Sequence, residues 1–66
     1  MTSEQHHLTI AENCAAWAQS WDEAAEMVAP DDAGQAASLR ASAAKERKAE
    51  AHHRKLAAEL APMRVA

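Results

Sequence analysis

Residues 10–28 read IAENCAAWAQSWDEAAEMV and decide the fold of this 66-residue chain. Apolar side chains recur there at alternating intervals of four and three residues, the repeat of a helix that buries one narrow stripe. We call this stripe the tryptophan seam because it carries both tryptophans of the chain. The tryptophan seam consists of Ile10, Cys14, Trp17, Trp21, Ala24 and Val28, and a line of alanines, Ala11, Ala18 and Ala25, runs beside it.

The signals at the helix ends predict two helices joined by a short turn. Pro30 disfavours helical geometry in the residue before it, and Asp31 and Asp32 are suited to cap a following helix. We expect a first helix over about residues 4–29, a turn at 30–32, a second helix over about residues 33–61 and a short tail at 62–66. Two capping boxes compete at the start of the first helix, Thr2 with Gln5 and Thr9 with Glu12. The second is the better signal because it lies just before the apolar repeat, but the repeat extends back through His7 and favours the earlier start.

A turn this short makes the two helices antiparallel neighbours. The predicted fold class is therefore all-α, an antiparallel two-helix hairpin. Folding at the turn places Trp17 opposite Ala44 and brings Asp22 near Arg40. Residues 42–55, in the middle of the second helix, include no apolar residue larger than alanine, so this part of the helix predicts a groove of small side chains.

One hairpin of this composition has little to bury. Alanine accounts for 19 residues, and only 13 apolar residues are larger. A chain of this length is close to the lower limit for an independent core, and a single cysteine excludes a disulfide within the chain. We therefore expect a homodimer that forms a four-helix bundle. Its predicted interface is Ile10, Cys14, Trp17, Trp21 and Val28.

Charge is divided between the two halves of the chain. Residues 1–39 contain seven acids and no Lys or Arg, whereas residues 40–66 contain seven Lys and Arg against three Glu, for a net charge of −3 overall. Opposite charges favour helices that lie side by side, and this much acid makes nucleic acid an unexpected partner. No apolar run approaches the roughly 18 residues of a membrane span, and no secretory signal is recognised, so we expect a cytoplasmic protein without a membrane partner.

The histidines form two adjacent pairs that the hairpin brings to its open end. They are His6, His7, His52 and His53. Imidazole is a common ligand of transition metals, but neighbouring helical residues point about 100° apart, so each pair offers one ligand to a given ion. The favoured interpretation is solvated surface histidines without a metal. Nothing in the sequence has the spacing of a catalytic site or a cofactor loop, so neither an enzyme nor a cofactor is expected.

The sequence leaves two classes of function open. The first is a protein-binding module, in which the second helix offers an amphipathic surface to a target; the predicted contact residues are Leu39, Arg40, Arg47, Leu56 and Leu60. The alternative is RNA binding through basic residues that could contact phosphates. Those residues are Lys45, Arg47, Lys48, Arg54 and Lys55. The favoured interpretation of the basic residues is a solvated face that neutralises the acidic first helix.

In length, heptad repeat and mid-chain turn, the chain resembles two groups of small proteins. One is the Rop-type RNA modulators of plasmids, hairpins that dimerise into four-helix bundles. The other is the short helical-hairpin proteins of temperate phages, which dimerise and bind host regulators or motor ATPases. The Rop-type pattern needs a basic first helix, whereas this one contains no Lys or Arg. The resemblance therefore implies a phage or mobile-element modulator that inhibits a host protein, and no functional residue is carried over.

Overall fold

Two long helices make up the fold. The computed structural model describes residues 2–61, so the predicted tail at 62–66 lies outside the described residues. Helix α1 spans Ser3–Val28 and helix α2 spans Ala33–Leu60. The two pack along their length into an antiparallel hairpin with principal dimensions of 55 × 15 × 10 Å. The protein is thus all-α, in agreement with the predicted hairpin.

Helix α1 begins at the first of the two competing capping boxes. The Thr2 hydroxyl accepts a hydrogen bond from the Gln5 backbone N–H at 3.1 Å, and the Gln5 side chain accepts one from the Thr2 N–H at 2.9 Å. These bonds satisfy two of the amide groups that a helix N-terminus leaves without a partner. The helix therefore runs through Thr9 without interruption.

The turn between the helices is closed by the backbone of Val28 and the side chain of Asp32. The Val28 carbonyl accepts hydrogen bonds from the N–H groups of Asp31 and Asp32, at 3.0 and 2.7 Å. Asp32 then caps α2, since its carboxylate accepts a hydrogen bond from the Gln35 N–H at 2.9 Å. The carboxylate also faces the positive end of the α2 dipole. Pro30 occupies the turn itself, as expected of a residue that stops a helix.

Alanines alone form the buried contact between the helices. Among residues 2–61, the buried apolar residues are Ala11, Ala18 and Ala25 of α1 and Ala36, Ala43 and Ala57 of α2. In both helices these positions follow a spacing of seven residues or a multiple of it, so each set forms one line along its helix. No larger side chain in this part of the chain is fully buried. The distance between packed helices depends on the side chains at their contact, so a contact of alanines allows a close approach.

This contact corrects the predicted packing of the first tryptophan. Trp17 was expected to face Ala44, but Ala44 is exposed and the adjacent Ala43 is the buried residue. On α1 the buried residue at this level is Ala18, whereas Trp17 is 57% exposed. The tryptophan seam therefore lies on one side of the alanine contact instead of within it.

Side-chain contacts identify two flanks of the alanine contact. On one flank His7 meets His53 and Cys14 meets Glu46. On the other flank Arg47 donates a hydrogen bond to the carboxylate of Asp22. We call the first the front face and the second the ionic flank.

The ionic flank corrects a second prediction. Asp22 was expected near Arg40, but it pairs with Arg47, one heptad further along α2. Arg40 and Arg47 occupy equivalent positions of the repeat, so the spacing alone does not distinguish them. Both arginine side chains are long enough to reach along the helix. In the folded hairpin Arg47 is the one that pairs with Asp22.

Candidate functional site

The two tryptophans form the most prominent feature of the front face. Trp17 and Trp21 stack with their ring centroids 6.0 Å apart and their planes inclined at 30°. They are four residues apart on α1, a spacing that places side chains on the same face of a helix. Trp21 is half-buried, whereas 57% of Trp17 is exposed. One indole thus covers part of the other and leaves a large aromatic surface in water.

Other apolar residues from both helices continue the front face. Leu39 and Leu56 belong to the same heptad frame as Glu46 and His53, which face Cys14 and His7 across the hairpin. Both leucines are half-buried, as are the seam residues other than Trp17. The half-buried apolar residues of the front face besides Trp21 are Ile10, Cys14 and Val28 of α1 and Leu39, Leu56 and Leu60 of α2.

Two small residues lie on the front face of α2. Ser42 and Ala49 lie in the same frame as the leucines, between Leu39 and Leu56, and both are half-buried. Glu46 and His53 belong to the same frame, so the groove of small side chains expected there is interrupted by two larger polar residues. The front face therefore has bulky rings on α1 and small side chains at two positions of α2.

A thiol and a carboxylate meet in the middle of the front face. The Cys14 thiol lies near the Glu46 carboxylate on the facing helix. Partial burial raises the pKa of Cys14, and the hydrogen bond to Glu46 and the charges of Glu46 and Glu50 raise it further. A thiol with a raised pKa stays protonated at neutral pH and is a poor nucleophile. The Cys14 side chain is therefore suited to packing and not to nucleophilic attack.

The histidines meet near the open end of the hairpin, one from each pair. The Nδ1 atoms of His7 and His53 are 2.8 Å apart, and the two rings are stacked with centroids 5.1 Å apart. His6 and His52 touch the edges of these rings, with centroids 5.8 and 5.3 Å away. Partial burial lowers the pKa of His53, and the neighbouring His7, His52 and His6 lower it further.

The histidine contact does not extend to a larger cluster of metal-binding side chains within residues 2–61. No group of three or more histidine, cysteine or carboxylate side chains in that range is arranged to hold an ion. The closest approach to one is the contact of His7 with His53. Its two Nδ1 atoms face each other through a hydrogen bond, a geometry that uses both nitrogens without an ion.

The residues predicted on α2 as a target surface do not form one surface. Leu39, Leu56 and Leu60 belong to the front face, Leu39 at the level of the tryptophans and the other two nearer the open end. Arg40 and Arg47 belong to the ionic flank, because Arg47 binds Asp22 there and Arg40 lies one heptad before it. The predicted dimer interface and the apolar half of the predicted target surface are therefore neighbours on one face.

The basic residues of α2 are exposed along the ionic flank and the back of the helix. Lys45, Arg47, Lys48, Arg54 and Lys55 are all exposed. Within the described part of the chain, Arg47 pairs with Asp22 and Arg54 pairs with Glu50 at 2.9 Å. The other three are held by no ion pair in this range and lie in water.

Comparison with known proteins gives this site no precedent. No protein-family model, curated protein or solved structure matches the chain. Neither described helix is long and apolar enough to cross a membrane. The surface of the hairpin therefore has to be interpreted from its own chemistry.

Proposed function

We propose that this protein is a non-enzymatic helical hairpin that acts by binding other proteins, and that it works as a homodimer. One observation carries the proposal: the described hairpin buries only alanines, while Trp17 remains 57% exposed on a face of half-buried apolar residues. Contiguous apolar surface of this kind marks interfaces in soluble proteins. Tryptophan is also among the residues most enriched where binding energy concentrates.

A second copy is the first partner we propose for the front face. Burial of a Leu or Met side chain stabilises a fold by about 1.5–3 kcal/mol. An alanine has only one methyl group to bury and therefore contributes less. The large apolar residues of this chain are only half-buried in the single hairpin. Packing two front faces together would bury Trp17, Trp21 and the leucines in a four-helix bundle. Ile10, Cys14 and Val28 would complete this interface.

The surface that remains for a target protein is then the ionic flank. Arg40 and Arg47 lie outside the front face and stay accessible in such a dimer. Arginine suits protein interfaces because its guanidinium makes planar, two-pronged contacts with carboxylates. We propose that the target is a host protein in the cytoplasm, and that the chain is a modulator from a phage or mobile element. That part of the proposal is supported by the resemblance in length and hairpin form alone.

Sedimentation tests the homodimer directly. We expect the wild-type protein to sediment as a dimer at micromolar concentration and Trp17→Ala to shift it towards monomer. Met27→Ala is the matched control, since Met27 is 80% exposed yet lies outside the tryptophan seam. A wild-type chain that is folded and monomeric at that concentration, with both indoles already shielded, would overturn the proposal.

Target binding needs a separate experiment. Immobilised wild-type protein, Arg47→Glu and Lys48→Glu would be compared for the proteins they retain from the native host. Arg47→Glu places an acid beside Asp22 on the ionic flank, whereas Lys48 makes no ion pair within the described residues. We expect a specific partner to be lost with Arg47→Glu and retained with Lys48→Glu. Equal capture by all three proteins would exclude the ionic flank as the target surface.

RNA binding is the alternative that the exposed basic residues of α2 favour. Lys45, Lys48 and Lys55 form no ion pair within residues 2–61 and are free to contact phosphates. Phosphate contacts make affinity fall steeply with salt concentration. Measurable RNA binding at about 50 mM salt with such a dependence would support this alternative, and its absence would remove it.

A further inference from the structure

The front face admits two arrangements of a second copy that both have two-fold symmetry. If the axis runs along the helices, α1 packs on α2 of the partner, and the two turns lie at the same end. If the axis runs across the helices, α1 packs on α1 of the partner, and the turns lie at opposite ends. Both arrangements are closed dimers that bury the same surface twice, so buried area does not separate them.

Charge separates the two arrangements. Helix α1 carries five acids and no Lys or Arg, whereas α2 carries six Lys and Arg against three Glu. Packed helices lie about 8–10 Å apart, which is close to the Debye length of about 8 Å at physiological salt. Repulsion between neighbouring helices is therefore only partly screened. An axis along the helices gives every acidic helix two basic neighbours, while an axis across them places the two acidic helices side by side.

Side-chain size favours the same arrangement. With the axis along the helices, Trp17 lies at about the same position along the bundle as Ser42 on the partner's α2. Ile10 stands in the same way near Ala49 of the partner. Trp17 and Ile10 then stand against small side chains on either side of Glu46, and large side chains opposite small ones are how packed helices interlock. With the axis across the helices, the midpoint of α1 is the crossing point, and Trp17 would meet the partner's α1 close to the partner's own Trp17.

We infer that the second copy seats with its two-fold axis along the helices, so that each α1 packs on α2 of the partner. This inference rests on the proposed dimer and specifies its arrangement. The four helices then alternate acidic and basic around the bundle. Both turns lie at one end of the assembly, and the two His7–His53 pairs lie at the other.

Distances between labels on the two copies test this arrangement. Asp31→Cys, in the turn, and Glu59→Cys, near the open end, would each carry a spin label in a Cys14→Ser background. Serine keeps a hydrogen-bond donor beside Glu46. Circular dichroism and sedimentation would first establish that each variant is helical and dimeric.

We expect both single-label dimers to give separations below about 30 Å, because neighbouring helices are about 8–10 Å apart. A dimer mixed from the two variants should give a separation above about 40 Å, because α2 has 28 residues and each adds about 1.5 Å of length. The reverse pattern, with long single-label and short mixed distances, would overturn the inferred arrangement but leave the dimer intact. Labelled protein that sediments as a folded monomer, together with a monomeric wild type, would remove the dimer itself.

Discussion

His7 and His53 are joined across the hairpin by a hydrogen bond between their Nδ1 atoms, 2.8 Å apart. One of the two nitrogens must be without a proton in order to accept this bond. The rings of His6 and His52 stand against the pair, so a charge on any ring is felt by the others. The contact therefore depends on the protonation state of the open end.

Stability should fall as the pH is lowered through the range in which His53 titrates. The pKa of His53 in the folded protein is lower than its ordinary value of 6.5, owing first to partial burial and then to the neighbouring histidines. Near and below pH 6.5 the unfolded chain binds more protons than the folded one, so protons favour unfolding. The stabilisation that depends on neutral His53 is fully present above pH 6.5. It is lost as the pH falls from 6.5 to the lower pKa of His53 in the folded protein. Thermal unfolding followed by circular dichroism between pH 8 and pH 5 measures it.

His53→Gln should flatten this pH dependence, while His6→Gln should largely retain it. The side chain of His6 is exposed and makes only an edge contact with His7. Equal pH dependence in the wild type and His53→Gln would show that the pair contributes nothing.

The alanine contact should tolerate no larger side chain. Ala43 is fully buried and Ala44, the next residue, is exposed. Ala43→Leu should destabilise the protein by about 1–3 kcal/mol, since extra methylene groups must separate the helices. Ala44→Leu should change stability by no more than about 0.5 kcal/mol, as is usual at the surface. Urea unfolding of the two variants at equal protein concentration decides between this prediction and equal effects at both positions.

Asp32, and not the adjacent Asp31, should contribute to the stability of the protein by capping α2. The Asp32 carboxylate accepts a hydrogen bond from the Gln35 N–H. Asp32→Ala should therefore cost about 1 kcal/mol, the usual value of an N-cap. Asp31→Ala removes the same charge one residue earlier and serves as the control. Urea unfolding should show the larger loss for Asp32→Ala, and similar losses in both variants would assign the effect to charge alone.

Cys14 should react slowly with alkylating reagents, and Glu46 should be one reason. Partial burial, the hydrogen bond to Glu46 and the charges of Glu46 and Glu50 all raise the pKa of the thiol. Glu46→Gln removes one of these charges and should speed the reaction with iodoacetamide at pH 8, because the thiolate is the reactive form. Glu59→Gln changes an exposed residue that has no part in this effect. Identical rates in the wild type and both variants would contradict the assignment.

The ends of the helices could be predicted from the sequence because local chemistry fixes them. Thr2 with Gln5, Pro30 and Asp32 each act through bonds or geometry within a few residues. The spacing of the apolar residues likewise indicated the frame that forms the front face. Local rules suffice for these features because none of them depends on how closely the helices approach.

The packing between the helices was less predictable. The largest apolar residues of α1 were expected to pack against α2, yet Ala18 is buried there and Trp17 is exposed. The heptad spacing defines several rows of residues along a helix. Which of these rows is buried depends on how the two backbones pack together. The pairing of Asp22 with Arg47 escaped prediction for a related reason, since its neighbour Arg40 occupies an equivalent position of the repeat.

The contact between the helices is chemically uniform, because every buried side chain in it is a methyl group. The closeness of the backbones restricts what can stand inside the hairpin, but it leaves every outward position free to change. A protein built in this way separates the part that makes it fold from the part that makes it selective. New binding preferences could therefore be engineered on its outer surfaces while the interior is left untouched.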